Sequence, residues 1–145
     1  MISKEESNEK VEDGWLRIWF GLEALAVSEE ITKKSLENLL ERLESDSRVK
    51  VYRKEFSTAK MVENPIPEIK EGWSIVCETE FVAKKLDDVV QIVMEYGPSA
   101  AEILEPQKLS LNLGECQNIL NGVSDMMHRF ARAGIGGMVV VRGKE

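Results

Sequence analysis

The chain has 145 residues, 43% hydrophobic and 31% charged, so we expect a single hydrophobic core, because two independent domains would each be marginal. The formal net charge of −7 opposes binding to nucleic acid or to anionic lipid surfaces. No apolar stretch approaches the length of a membrane span, and the first dozen residues are charged rather than an apolar signal core. We therefore expect a cytoplasmic protein with no nucleic-acid partner and no membrane partner.

Residues 1–13 contain almost no apolar side chains, so burial cannot offset the entropy lost on ordering them. We predict that they form a flexible tail. The rest of the chain, residues 14–145, is predicted to be one α+β domain.

The first strand is predicted over residues 15–26, where every even position is apolar. Ser28 is a suitable N-cap for a helix that ends near Ser45. Residues 49–62 mix apolar and charged positions, which predicts an exposed or edge strand. Prolines and a glycine in residues 64–72 predict a loop.

Residues 73–81 alternate between apolar and polar side chains, which predicts a third strand with one buried face. A second helix begins at Leu86, and Gly97 followed by proline is its stop signal. Residues 100–104 then predict a short fourth strand.

Asn112 and Glu115 have the spacing of a capping box and predict the start of a long third helix. The apolar side of this helix recurs at spacings of three and four, through Leu113, Cys116, Leu120, Val123, Met127 and Phe130. Glycines at 134, 136 and 137 end the helix; they are not a phosphate loop, which leads from a strand into a helix. Residues 138–141 predict a last short strand.

The order strand, helix, strand, strand, helix, strand is the split βαβ pattern of ferredoxin-like sandwiches. We therefore expect a ferredoxin-like α+β fold to which the long C-terminal helix and the last short strand are additions. Both early helices should cover one face of the sheet, leaving the other face for solvent or a partner.

Residues 86–106 read LDDVVQIVMEYGPSAAEILEP. This run resembles the helix, YG turn and strand ending in LEP of the C-terminal extension of WYL-type bacterial regulators. The resemblance implies a small ferredoxin-like module, and it does not extend to the DNA-binding domain that precedes the extension in those regulators. The chain as a whole also resembles small archaeal proteins that have no assigned activity.

Few residues suggest catalysis. His128 is the only histidine, and neither CxxC nor HxxxH occurs, so we expect no metal and no cofactor. Cys77 and Cys116 are expected to be free, inert thiols. Cys116 and His128 would lie roughly 18 Å apart along one helix, too far for a nucleophile and its base.

The first strand also carries two tryptophans on the face opposite its core side chains. A neighbouring strand would place two carboxylates about 7 Å apart beside them, as salt partners for an arginine between the tryptophans. The candidate binding residues are Trp15, Arg17, Trp19, Glu78 and Glu80. The third helix or the N-terminal tail could cover this face, or it could be a homodimer interface or a flat ligand site.

The leading hypothesis is a non-catalytic binding or regulatory module that self-associates through its sheet face or its third helix. We expect a homo-oligomer with a small-molecule ligand or a protein partner. Two alternatives stay open. One is a structural subunit of a larger complex, and the other is a small enzyme whose site lies between subunits and uses Glu78, Glu80, Arg17 and either Cys77 or His128.

Overall fold

The computed structural model describes residues 1–134 of the chain. Within that range the protein is an α+β fold with four helices and a five-stranded antiparallel sheet. In chain order the elements are α1 (Lys4–Glu12), β1 (Leu16–Ala26), α2 (Glu29–Ser45), β2 (Val49–Phe56), β3 (Lys60–Ile66), β4 (Ile69–Ala83), α3 (Leu86–Tyr96), β5 (Ala100–Glu105) and α4 (Leu113–Arg132). The predicted strand at residues 138–141 lies outside the described residues.

The sheet has the strand order β2-β4-β1-β5, and β3 pairs with the first part of β4. β4 pairs with β1 along the whole of β1, from Leu16 opposite Ala83 to Ala26 opposite Trp73. β2 and β3 follow one another along the other side of β4. Because β1 and β2 are both antiparallel to β4, they run parallel to each other with β4 between them.

The core lies between one face of the sheet and helices α2 and α3. Side chains alternate along a strand, so the even positions of β1 all point to this face. The buried residues that meet there include Leu16, Ile18, Phe20, Leu22, Leu36, Leu40, Leu43, Val89 and Ile92. The rings of Phe20 and Phe81 pack edge to face with their centroids 4.8 Å apart. The predicted period of two and the placement of both helices on one face are thus confirmed.

The expectation of a flexible tail over residues 1–13 is wrong, because α1 forms there. A capping box starts the helix: the Glu6 N–H donates to Ser3 Oγ at 3.1 Å, and the Ser3 N–H donates to Glu6 Oε2 at 2.7 Å. The Ile2 N–H also donates to the Val51 carbonyl at 3.0 Å. α1 is held by polar contacts, which a prediction based on apolar burial overlooks.

The single strand predicted over residues 49–62 is divided into β2 and β3. At the break, the Ser57 N–H donates to the Val76 carbonyl at 2.8 Å, and Ser57 Oγ accepts from the Val76 N–H at 3.0 Å. The serine side chain thereby replaces a backbone acceptor where the ladder is interrupted.

The predicted loop over residues 64–72 is a tight hairpin between β3 and β4. Ile66 pairs with Ile69, so its turn contains only residues 67 and 68. Pro65 is accommodated inside β3 because β3 is an edge strand whose register shifts at this point.

The predicted ends of the last two helices are confirmed. α3 is followed by Gly97 with a φ of +56°, the left-handed conformation common after a helix. α4 starts with the predicted capping box, in which the Glu115 N–H donates to Asn112 Oδ1 at 2.8 Å. α4 packs against α3, on the helix-covered side of the sheet. It therefore does not cover Trp15 and Trp19.

Candidate functional site

The sheet face opposite α2 and α3 carries the residues predicted to bind a ligand. On this face, Trp15 lies just before β1, and Arg17 and Trp19 lie within β1. The same face of β4 carries Glu78 and Glu80. α1 lies over the part of this face near Arg17. The part near Trp19 and Glu78 is open. The structure thus divides the predicted set into a covered group and an open group.

Arg17 is buried beneath α1 and joins three elements. Its Nη1 donates to Ser7 Oγ at 3.0 Å and its Nη2 to Asn8 Oδ1 at 2.7 Å, both in α1. Its Nε donates to Glu105 Oε2 at the end of β5, at 3.1 Å. With three polar partners and a side chain only 6% exposed, Arg17 has a structural role here.

Two aromatic rings near α1 each lie beside a cation of the chain itself. Lys10 Nζ is 4.4 Å from the ring centroid of Trp15. Arg17 Cζ is 5.0 Å from the ring centroid of Tyr52. Burial raises the pKa of the Tyr52 phenol to about 12, a rise that Arg17 opposes and Glu80 supports. Tyr52 could not be predicted on this face because the register of β2 shifts there, and such a bulge changes the face to which a side chain points.

Glu80 is engaged by β2 rather than by Arg17, so the predicted salt bridge between Arg17 and Glu80 is wrong. Glu80 Oε1 accepts from the Tyr52 hydroxyl at 2.8 Å, and Glu80 Oε2 accepts from Arg53 Nη1 at 2.8 Å. Arg17 pairs with Glu105 instead because β5, next to β1, brings that carboxylate to its guanidinium.

Trp19 and Glu78 border an open concavity of about 480 Å³ on the uncovered part of the face. Its walls also include Glu55, Phe56, Val76 and Ser99. An indole, two carboxylates and apolar side chains can together bind a small ligand that has a cationic group and an apolar part. We take this concavity as the candidate ligand site.

Cys77, Cys116 and His128 do not line the concavity. Cys77 points into the core, where burial raises the pKa of its thiol and keeps it protonated. His128 is exposed on α4, with Nδ1 2.7 Å from the Ser124 carbonyl one turn earlier. Among residues 1–134, no three or more His, Cys, Asp or Glu residues are grouped so that they could hold a metal ion.

A second candidate surface is the apolar side of α4. We call it the α4 stripe; it consists of Leu113, Cys116, Leu120, Val123, Met127 and Phe130. Leu113 is 88% exposed and Leu120 is 64% exposed. Beside the stripe, α3, α4 and β5 enclose an apolar groove whose walls include Ile18, Val93 and Ile103. Large exposed leucines next to an apolar groove are typical of an interaction surface.

The comparisons with known proteins yield one match. The model of the MJ0538 family matches residues 17–144. No curated protein and no solved structure matches the chain. In residues 1–134, none of the helices combines the length and the apolar character needed to cross a membrane.

Proposed function

The chain belongs to the MJ0538 family, and we propose that this member is a non-catalytic binding or regulatory module that self-associates through the α4 stripe. We also propose that its fold is a ferredoxin-like split βαβ sandwich extended by α4. The strand order β2-β4-β1-β5, with α2 and α3 on one face, supports this fold. The resemblance of residues 86–106 to the WYL extension supports it as well, because this run comprises α3, its turn and β5.

The observation that carries the proposal is the exposure of Leu113 and Leu120. They lie seven residues apart, so they project from the same side of α4 two turns apart. Burying a leucine side chain contributes about 2 kcal/mol, which a second copy of the helix would supply. In an antiparallel pair centred near Cys116, Leu113 of one copy would face Leu120 of the other, the self-complementary arrangement of a two-fold dimer.

The sheet face is a weaker candidate for the same interface. α1 already lies over its Arg17 end, and the contacts there are charged hydrogen bonds within the chain. The remaining part is a concavity, whereas two copies related by a two-fold axis pack best through complementary or flat surfaces. The α4 stripe is apolar; Leu113 and Leu120 are exposed, and its other four residues are half-buried.

Sedimentation equilibrium of the full chain tests the proposal. The wild type should be a dimer, and the variant with Leu113→Glu and Leu120→Glu should be a monomer with an unchanged circular dichroism spectrum. The matched control carries Asn118→Glu, on the opposite side of α4 from Leu113 and Leu120, and Asn38→Glu in α2; both positions are exposed, and the pair adds the same charge. This control should remain dimeric. A wild type that stays monomeric at high concentration would refute self-association.

A further inference from the structure

The indole of Trp19 lies over Gly21 on the open part of the sheet face. A Cβ atom built on Gly21 would be 3.2 Å from Cη2 and 3.6 Å from Cζ2 of Trp19. The two residues are two apart on one strand and share a face, so the ring occupies the space that a side chain at position 21 would fill. Trp19 therefore lies along the sheet as a platform at the edge of the concavity.

The carboxylate beside this platform is that of Glu78. Glu78 is directly opposite Gly21 in the β1–β4 register, so it shares the face on which the indole lies. Glu55 and Glu80 are both paired with Arg53. The exposed Glu78 side chain, in contrast, has no hydrogen-bond or ion-pair partner within residues 1–134.

Two other aromatic rings near this face, those of Trp15 and Tyr52, each contact a cationic side chain of the same chain. Trp15 has Lys10 over its ring, and Tyr52 has both Lys4 and Arg17, of which Arg17 also donates to a carboxylate. Trp19 has no cation over its ring in the part of the chain that the structure describes. Around Arg17, one guanidinium contacts both a ring, Tyr52, and a carboxylate, Glu105. Trp19 and Glu78 offer the same two groups, but no guanidinium of the described residues lies over Trp19.

We propose that Trp19 and Glu78 bind the guanidinium group of a small alkylguanidine ligand. A planar guanidinium stacks on an aromatic face and donates two parallel hydrogen bonds to a carboxylate, which a spherical ammonium group cannot do. Val76 lies two residues before Glu78 in β4 and on the same face, so it offers an apolar surface along which the alkyl part can lie. The net charge of −7 favours the approach of a cation. This site is on the sheet face opposite α2, α3 and α4, so the inference goes beyond self-association and does not depend on it.

The test is a titration of the full chain with butylguanidinium chloride, followed by the NMR signals of the Trp19 indole N–H and the Val76 amide. Both signals should shift and saturate with a dissociation constant at or below about 1 mM. N-butylurea, a neutral analogue of the same shape, should give no saturable shift, and butylammonium should bind at least about threefold more weakly.

Two substitutions locate the site. Glu78→Gln should weaken butylguanidinium binding at least about tenfold, whereas Glu63→Gln, at an exposed position of β3, should leave it unchanged. Gly21→Ala should also weaken binding, because the new methyl group meets the indole at 3.2 Å and displaces it. No saturable shift up to about 20 mM ligand, or equal affinity in the wild type and Glu78→Gln, would overturn the proposal.

Discussion

Arg17 of β1 donates a hydrogen bond to Ser7 of α1 across 3.0 Å, and the two residues are only 5% and 0% exposed. Ser7 Oγ in turn donates to the Lys4 carbonyl at 2.6 Å. The serine therefore links the guanidinium of the sheet to the first turn of the helix. This link makes α1 part of the folded domain although the helix has almost no apolar face.

Ser7→Ala should lower the free energy of unfolding by about 1–2 kcal/mol, because it leaves one N–H of a buried guanidinium without its acceptor. Urea denaturation monitored by tryptophan fluorescence measures the change. Amide hydrogen exchange in residues 4–12 should also become faster. Glu9→Ala, at an exposed position of the same helix, is the control and should change stability much less. Equal effects of the two substitutions would show that Ser7 does not anchor α1.

Asp46→Asn should make the stability of the domain less dependent on pH. Hydrogen bonds from Arg48 hold the pKa of Asp46 at about 2, below its ordinary value of 3.8. A folded-state pKa below the unfolded value stabilises the fold above about pH 4, and this stabilisation is lost as the pH falls toward 2. The wild type should exceed the variant by an amount on the order of 2 kcal/mol at pH 7 and by little at pH 2.

Urea unfolding at a series of pH values checks the Asp46 prediction. Glu63→Gln is the control, since this exposed carboxylate of β3 has no hydrogen-bond partner in the part of the chain that the structure describes. A difference between wild type and Asp46→Asn that stays constant from pH 7 to pH 2 would contradict the assigned pKa.

Gly97→Ala and Gly122→Ala should change stability in opposite directions. Gly97 has a φ of +56°, which costs an alanine about 1 kcal/mol. Gly122 lies inside α4, and the atoms nearest to an added Cβ would belong to the side chains of Gln91 and Asp87, at 3.4 Å or more. Alanine is the better helix former by up to about 1 kcal/mol, so Gly122→Ala should be neutral or stabilising. Thermal unfolding of both variants measures the two changes in stability. A Gly97→Ala protein more stable than the wild type would refute the left-handed conformation of Gly97.

If the protein self-associates through the α4 stripe, its thermal midpoint should rise with protein concentration, because association stabilises only the folded state. The variant with Leu113→Glu and Leu120→Glu should show no such rise. Scanning calorimetry over a hundredfold range of concentration makes the comparison. A midpoint that rises equally in both proteins would place the interface elsewhere.

The sequence predicted the elements that depend on local pattern. The period of two in β1, the helix caps at Ser28 and Asn112, and the glycine stop at Gly97 are all confirmed. These features need only neighbouring residues, because strand alternation, capping and left-handed turns are decided within a few positions. The tight hairpin whose turn begins at Pro67 was missed, because Pro65 and Pro67 so close together indicate a loop in the sequence, whereas an edge strand tolerates Pro65.

The sequence by itself determined which side chains share a face, and so it brought Trp19 and Glu78 to one side of the sheet. Only the tertiary structure decided which of the predicted site residues are engaged and which are open. α1 folds over Arg17, and a shift of register in β2 turns Tyr52 and Arg53 toward Glu80. The packing of α1 and the contacts of Glu80 both depend on hydrogen bonds between segments that are distant in the chain. The partners in such bonds are set by proximity in three dimensions, so a local sequence pattern does not specify them.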